Sequence, residues 1–315
     1  MTIGVLVMAY GGPGRLEDVE PYLLDVRGHR ATAPDIVHEV RERYRAIGGR
    51  SPILERTQAQ AQALEAALNE NGRLFKTFVG MRHWHPFIKD TLAQMREAGI
   101  VRAVGLVMAP HYSRLSIGAY FQKVDEGAGP VPALAPAPIE IARIERWHLL
   151  PGYLDALAER VRAALEKFPA EARGETLILF TAHSLPQRIL EWNDPYPDEL
   201  RATMAGVMDR VGPHPPPGEF AYQSAALTSE PWLGPDAGEV IVRLAGEGKK
   251  HVLIAPIGFV CEHVEILYDV DIVFKQQAGA LGVRLERIEM LNTAPAMIAG
   301  LAQLVRRKAV EAGWL

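Results

Sequence analysis

The sequence predicts an α/β fold of two similar halves, each a parallel four-stranded sheet flanked by helices, with an interdomain cleft. Three observations carry this. Short β-branched runs alternate with longer amphipathic segments along the whole chain, the pattern of repeated strand–helix units. The runs form two sets of four at nearly constant offset. The length, 315 residues, is too great for one comfortable core and too small for three. Together they describe two Rossmann-like halves related by duplication.

The first set of strands is "TIGVLVMA" (2–9), "FKTFVGM" (75–81), "AVGLVMAP" (103–110) and "PIEIARIE" (138–145). The second is "ETLILFTA" (175–182), "EFAYQSA" (219–225), "KHVLIAPI" (250–257) and "VRLERIEM" (283–290). Strands two to four start at 75, 103 and 138 and again at 219, 250 and 283, offsets of 144, 147 and 145 residues. The opening strands lie 173 apart, so the first half carries roughly 27 extra residues after its first strand. This insertion is the basic, glycine-punctuated stretch 26–50. Next comes a helix over 51–70, with Ser51 and Pro52 as its start signal. The predicted organisation is a first half over 1–150 with the basic lip 26–50, a second half over 151–293, and a C-terminal helix, 294–315, that packs back on the body.

Composition narrows the function. A net charge of −4 gives no reason to expect nucleic acid or an anionic membrane surface as partner. The N-terminal apolar run and "VLIAPIGFVC" (252–261) are both too short to cross a bilayer. A single cysteine, Cys261, excludes an internal disulfide and a cysteine-ligated iron–sulfur cluster, and a reducing cytoplasm fits.

In such sheets ligands bind beyond the carboxyl ends of the strands. The residues there are Tyr10-Gly11-Gly12-Pro13, Arg82-His83-Trp84-His85, His111-Tyr112-Ser113, His183-Ser184, Gln223-Ser224 and "GFVCEHVEILYDVD" (258–271). No GxGxxG or Walker A loop signals a nucleotide. A lone His183 is better explained by a neighbouring carbonyl than by chemistry. The acidic stretch says more. A helix starting near Cys261 puts Glu262, Glu265 and Asp269 at i, i+3 and i+7 on one face. That stripe is either a solvated surface or a row of carboxylates lining the cleft, and it follows directly on the most apolar strand. Histidine with carboxylates suits a divalent transition metal.

These blocks together resemble the ferrochelatase family: "AHSLP" (182–186), "PIGFVCEHVEILYDVD" (256–271), "YRAIGGRSPI" (44–53), "VGMRHWHPFI" (79–88), "APHYS" (109–113) and "PWLGPD" (231–236). Within it, "VMAYGGP" (7–13) with Tyr10 is similar to the bacterial branch that uses coproporphyrin III. The resemblance implies a chelatase-like fold and insertion of Fe(II) into a porphyrin held in the cleft. Fe2+ and the porphyrin are then substrates, with no permanently bound cofactor. It implies His183 and Glu265 as the catalytic, metal-meeting pair on one side of the macrocycle, and Tyr10 as axial ligand to the product iron on the other. Arg27, Arg43, Tyr44, Ser51 and Tyr120 match positions that contact the ring or its propionates; Glu262, Asp269 and His83 are candidates for a relay. An upstream oxidase and a downstream coproheme decarboxylase are the expected neighbours for transient contact.

Residue chemistry agrees with this reading. A free porphyrin loses two inner N–H protons when a dication enters, so a base is needed near the ring centre. The sequence departs from the family at Val273, where a further glutamate sometimes continues the acidic line. His85 is expected to be structural, and His111 has no assigned role. Two alternatives stay open: a chelatase for protoporphyrin IX, cobalt or nickel, and a non-catalytic porphyrin or heme carrier.

Overall fold

The computed structural model describes residues 2–70, 72, 74–127, 138–226 and 230–315. The first half contains β1 (Ile3–Ala9), α1 (Val19–Val26), α2 (Pro34–Ala46), α3 (Ile53–Leu68), β2 (Phe75–Met81), α4 (Ile88–Glu97), β3 (Arg102–Val107), α5 (Ile117–Gly127) and β4 (Glu140–Ile144). The second contains α6 (Pro151–Leu165), β5 (Leu177–His183), α7 (Tyr196–Val211), β6 (Gly218–Gln223), α8 (Ala237–Gly246), β7 (His251–Pro256), a π-helix (Glu265–Phe274), α9 (Lys275–Ala280) and β8 (Arg284–Arg287). The closing helix is α10 (Pro295–Glu311).

Both sheets are parallel and share one strand order, β2-β1-β3-β4 and β6-β5-β7-β8. The central strands read as unbroken apolar runs because helices cover both sheet faces. All seven residues of β1 are buried. Val5, Leu6, Val7 and Met8 have no exposed surface, and burial of each contributes roughly 1.5–3 kcal/mol. In the second half Leu177, Leu179, Val252 and Ile254 of the sheet meet Ile241, Leu244, Ile266, Val270 and Phe274 of the helices. This apolar layer anchors the π-helix and so sets where its acidic residues go.

The order 2-1-3-4 reverses direction between β1 and β3, and again between β5 and β7. Connections leave such a point toward opposite faces of the sheet, opening a crevice at the strand ends. Tyr10 follows β1 and His183 closes β5, so each half presents its most distinctive residue at its own switch point.

The chain's division differs from the expected 1–150, 151–293 and 294–315. One compact unit comprises Met1–Ala109, Ser116–Trp147 and Asn292–Leu315, and the other Pro110–Leu115 and His148–Leu291. Carboxylates explain the excursion at 110–115: the Tyr112 amide donates to Glu199 at 2.6 Å, and the Arg114 amide and Ser113 hydroxyl donate to Asp194 at 2.8 and 3.0 Å. The C-terminal segment joins the first unit because α10 lies on α3. There Arg306 donates to the last carbonyls of α3, Ala67 and Leu68, and Gln60 donates to Asn292 O at 2.9 Å. The basic stretch 26–50 contains α2, and Ser51 Oγ accepts weakly from Ile53 N at 3.4 Å where α3 begins, although the capping residue itself is Pro52. Among the described residues no helix is long and apolar enough to cross a membrane.

Candidate active site

In the second unit His183 is the last residue of β5 and pairs in register with Gln223 of β6. Its backbone is held from several directions. Ser184 N donates to Gln223 O at 2.8 Å, and the buried Tyr196 hydroxyl donates to His183 O at 2.9 Å. The loop after β7 approaches so closely at Gly258 that a Cβ there would sit 2.6 Å from Ala182 Cβ; only glycine fits. The fixed imidazole meets Glu265 through Nδ1, 3.0 Å from Oε2, and Trp232 stands edge-on to its ring at 6.1 Å. Because Glu265 engages Nδ1, Nε2 is the ring nitrogen left for a substrate.

The acidic stretch is wound differently from the expected α-helix. Its helix begins at Val264, after Glu262, and is a π-helix from Glu265 to Phe274. Glu262 therefore lies outside it, and the i, i+3, i+7 stripe does not form. The wider i→i+5 winding, a feature frequent at functional sites, puts Glu265 on the first turn and Asp269 one turn on. Asp269 accepts a hydrogen bond from Ser224 Oγ.

A second histidine, unassigned by sequence reasoning, completes this cluster. His263 Nδ1 faces the Cys261 carbonyl at 3.2 Å, its ring lies 4.5 Å from that of Phe259, and Nε2 is 3.9 Å from Glu265 Oε2. A carbonyl only accepts, so the Nδ1 proton is fixed and Nε2 is a lone pair in the neutral form. The signal was the CEHxE spacing, which puts a histidine two residues before the glutamate.

The electrostatics follow from this packing. For His183, burial is the largest influence and pulls the pKa down. The Glu265 charge and hydrogen bond, with the Asp269 charge, outweigh it and hold the imidazole above its ordinary value. For Glu265, burial pushes up, but His183, His263 and Ser224 together hold the carboxyl well below its usual range. The result is a carboxylate beside a strengthened base. His263 is lowered, mainly by burial. Among the described residues no three His, Cys, Asp or Glu side chains converge as a metal-holding set.

The first unit carries the other expected residues. Tyr10 follows β1 and is 39% exposed, and Gly11 (φ +92°) turns the chain so tightly against Trp84 that a Cβ would lie 3.0 Å from its amide. The amides of Arg82 and His83 donate to Ala9 O and Tyr10 O, both at 2.9 Å, so the chain just past β2 stays alongside the end of β1. His83 Nδ1 bonds Asp25 at 2.8 Å and its ring sits 4.6 Å from that of Tyr10. Burial first, and the Arg82 charge second, lower its pKa to about 4. The imidazole is thus neutral near pH 7, with Nδ1–H donating to Asp25. Arg82, present among the strand-end residues but unassigned, lies 5.9 Å from the Tyr10 ring and 5.4 Å from that of Tyr120.

The expected polar lip is only partly a lip. Arg27 is exposed, and Arg43 donates to Glu39 at 2.6 Å on the surface of α2. Tyr44 and Tyr120 are 2% and 4% exposed. Ser51 packs against the first-strand turn, since a Cβ at Gly12 would lie 2.6 Å from its hydroxyl. His85 is edge-on to Trp84 and Phe87 at 5.3 and 4.6 Å. His111 is buried, with Nε2 2.8 Å from the Thr203 hydroxyl, which itself donates to His148 O.

Two parallel four-stranded sheets of one strand order define a chelatase-like α/β fold. Solved structures agree on the fold: SirB from Bacillus subtilis with Fe3+ has TM-score 0.58 at 11% identity, covering 99% of this chain and 98% of that one. A sirohydrochlorin chelatase SirB from Bacillus subtilis subspecies spizizenii in complex with cobalt has TM-score 0.56 at 10% identity, covering 99% and 97%. The family follows from sequence. The ferrochelatase family model matches residues 2–309, and the chain belongs to the ferrochelatase family, whose activity is insertion of a metal into a porphyrin. It is 44% identical to a ferrochelatase of Herpetosiphon aurantiacus over 96% of this chain and 97% of that protein. It is 42% identical to one of Deinococcus radiodurans (98% and 96%) and 40% identical to a coproporphyrin III ferrochelatase of Geobacillus kaustophilus (99% and 98%).

Proposed function

We propose that the protein inserts Fe(II) into coproporphyrin III, giving Fe-coproporphyrin III and two protons. The observation that carries the chemistry is the bond between His183 Nδ1 and Glu265 at the end of β5. Each pyrrole N–H proton must pass to a base as the metal–nitrogen bonds form. His183 accepts through Nε2 in its neutral form, and the adjacent Glu265 carboxylate stabilises the imidazolium produced. Two ligands, His183 and Glu265, suit a metal that is passing through, because a closed cage would retain it. Asp269, one turn beyond Glu265 on the π-helix, is assigned as the next step of a route for protons or iron. Tyr10, whose ring lies 4.6 Å from that of His83, is assigned as ligand to the product iron.

The substrate reading is supported by the coproporphyrin III ferrochelatase name of a relative 40% identical over nearly the whole chain, and by Arg27 and Arg43, which the basic stretch 26–50 carries. Arg43 meets Glu39 on the surface of α2, and such surface pairs are worth little. A reducing compartment such as the cytoplasm, where iron stays ferrous, is the setting this reading calls for. The test is anaerobic incubation with coproporphyrin III or protoporphyrin IX and, separately, Fe(II), Co(II) or Ni(II), following the porphyrin absorption bands. Fastest metalation with Fe(II) and coproporphyrin III is expected. Equal efficiency with both porphyrins removes the substrate assignment, and binding without metalation leaves a carrier.

A further inference from the structure

At the end of β6 the backbone turns through Ser224 at φ +59°, a left-handed conformation that costs any residue with a Cβ. Three other described non-glycine residues share it: His29, Asn193 and Asn292. Histidine and asparagine are types in which that region is comparatively common, and serine is not. A glycine at 224 would take the turn freely, so the backbone gives no reason for a serine here.

The side chain does. Ser224 stands one residue beyond Gln223, the register partner of His183. Its hydroxyl donates to Asp269 Oδ2. The Gln223 amide bridges the same place, reaching Ser224 Oγ at 3.4 Å and the Glu265 backbone carbonyl at 3.2 Å. A hydroxyl has one proton to give and lone pairs to accept with. With its proton committed to Asp269 and Gln223 donating to its oxygen, Ser224 has a fixed orientation. Ser224 ties the end of the sheet to the Asp269 turn of the π-helix, and Gln223 ties it to the Glu265 turn.

We infer that Ser224 is a positioning residue for metal insertion, whose hydroxyl holds Asp269 in place beside the His183–Glu265 pair. The inference rests on that pair being the one that inserts the metal. Strained residues persist where the surroundings need them, and working sites are where they gather.

Three variants separate the hydroxyl from the turn. Ser224→Gly removes the hydroxyl and relieves the backbone, Ser224→Ala removes it and keeps the strain, and Ser224→Asn keeps a donor in a residue at home at positive φ. Metalation is followed anaerobically with coproporphyrin III and with protoporphyrin IX, using whichever the unmodified protein metalates, alongside melting temperature. Ser224→Gly is expected to melt no lower than the parent. Its kcat should fall roughly tenfold, the low end for a lost bond to a charged group, with porphyrin KM within about twofold. Ser224→Ala should be equally slow, and Ser224→Asn should regain most of the rate. A glycine variant with unchanged kcat overturns the role, as does an asparagine variant no faster than glycine. If coproporphyrin III alone fails as substrate, the substrate reading falls and the Ser224 comparison proceeds on protoporphyrin IX. A parent protein inactive with both removes the inserting pair and this role together.

Discussion

The two units each hold a histidine whose Nδ1 meets a carboxylate, His83 with Asp25 at 2.8 Å and His183 with Glu265 at 3.0 Å, yet the two imidazoles are driven in opposite directions. His83 has an 8% exposed side chain beside the Arg82 cation, and its pKa drops to about 4. His183, 33% exposed, faces Glu265 with Asp269 behind it, and its pKa rises. One contact geometry thus serves two ends. Burial and a neighbouring cation lower one ring's pKa and leave it neutral near pH 7 beside Tyr10, whereas the carboxylates of Glu265 and Asp269 raise the other's.

The largest expected effect separates the pairs by function. Glu265→Gln is expected to bind porphyrin nearly normally but metalate it at least about a hundredfold more slowly, as for loss of a proton-handling group. His183→Ala should be as severe, measured by stopped-flow absorption under anaerobic conditions. A glutamine variant at parental rate would put Glu265 outside the chemistry. The substrate preference comes next. Contacts from charged groups to carboxylates contribute roughly 1.5–3 kcal/mol each, so coproporphyrin III should exceed protoporphyrin IX at least about tenfold in kcat/KM. Arg43→Ala should narrow that ratio more than it slows insertion.

The pairs should also answer pH in opposite windows. His183 must be neutral to accept, and its folded pKa lies above 6.5, so metalation should climb as pH rises through that raised value. Glu265→Gln should move the midpoint down in whatever activity remains. His83 matters to stability instead. Its unfolded form takes a proton near 6.5 and its folded form only near 4, so stability should fall between those values as pH drops. The loss is on the order of 3 kcal/mol. Chemical denaturation of His83→Asn across this range should show a flatter dependence, and an unchanged slope would mean that another group sets it. The smallest effect on rate is expected at Tyr10. Tyr10→Phe should change turnover by less than about threefold, because a ligand gained after insertion does not stabilise the transition state. It should alter the absorption spectrum of the bound iron product, and an identical spectrum would show that the phenol is not a ligand.

Much of the molecule was legible from sequence, for identifiable reasons. All eight strands lie where the short β-branched runs place them, and β1, β3, β5 and β7 stand out most because a parallel strand covered on both faces needs no alternation. The constant offset between the sets became an identical strand order. Placement of His183 followed from the proline soon after it, which ends a strand. The winding of residues 265–274 was not legible. A π-helix and an α-helix share composition, and the difference lies in how Ile266, Val270 and Phe274 seat against the sheet. Nor could sequence join Asp25 to His83 across 58 positions or Ser224 to Asp269 across 45.

By itself, then, the sequence determined the local elements, the duplication and the residue types at each strand end, since those depend on short-range periodicity and on neighbours along the chain. Tertiary structure alone decided which of two similar histidines has its pKa raised and which lowered. That choice depends on burial and on charges brought from distant segments: Arg82 beside one ring, Glu265 and Asp269 beside the other. Coulombic and desolvation energies act through space, and no spacing along a chain encodes them.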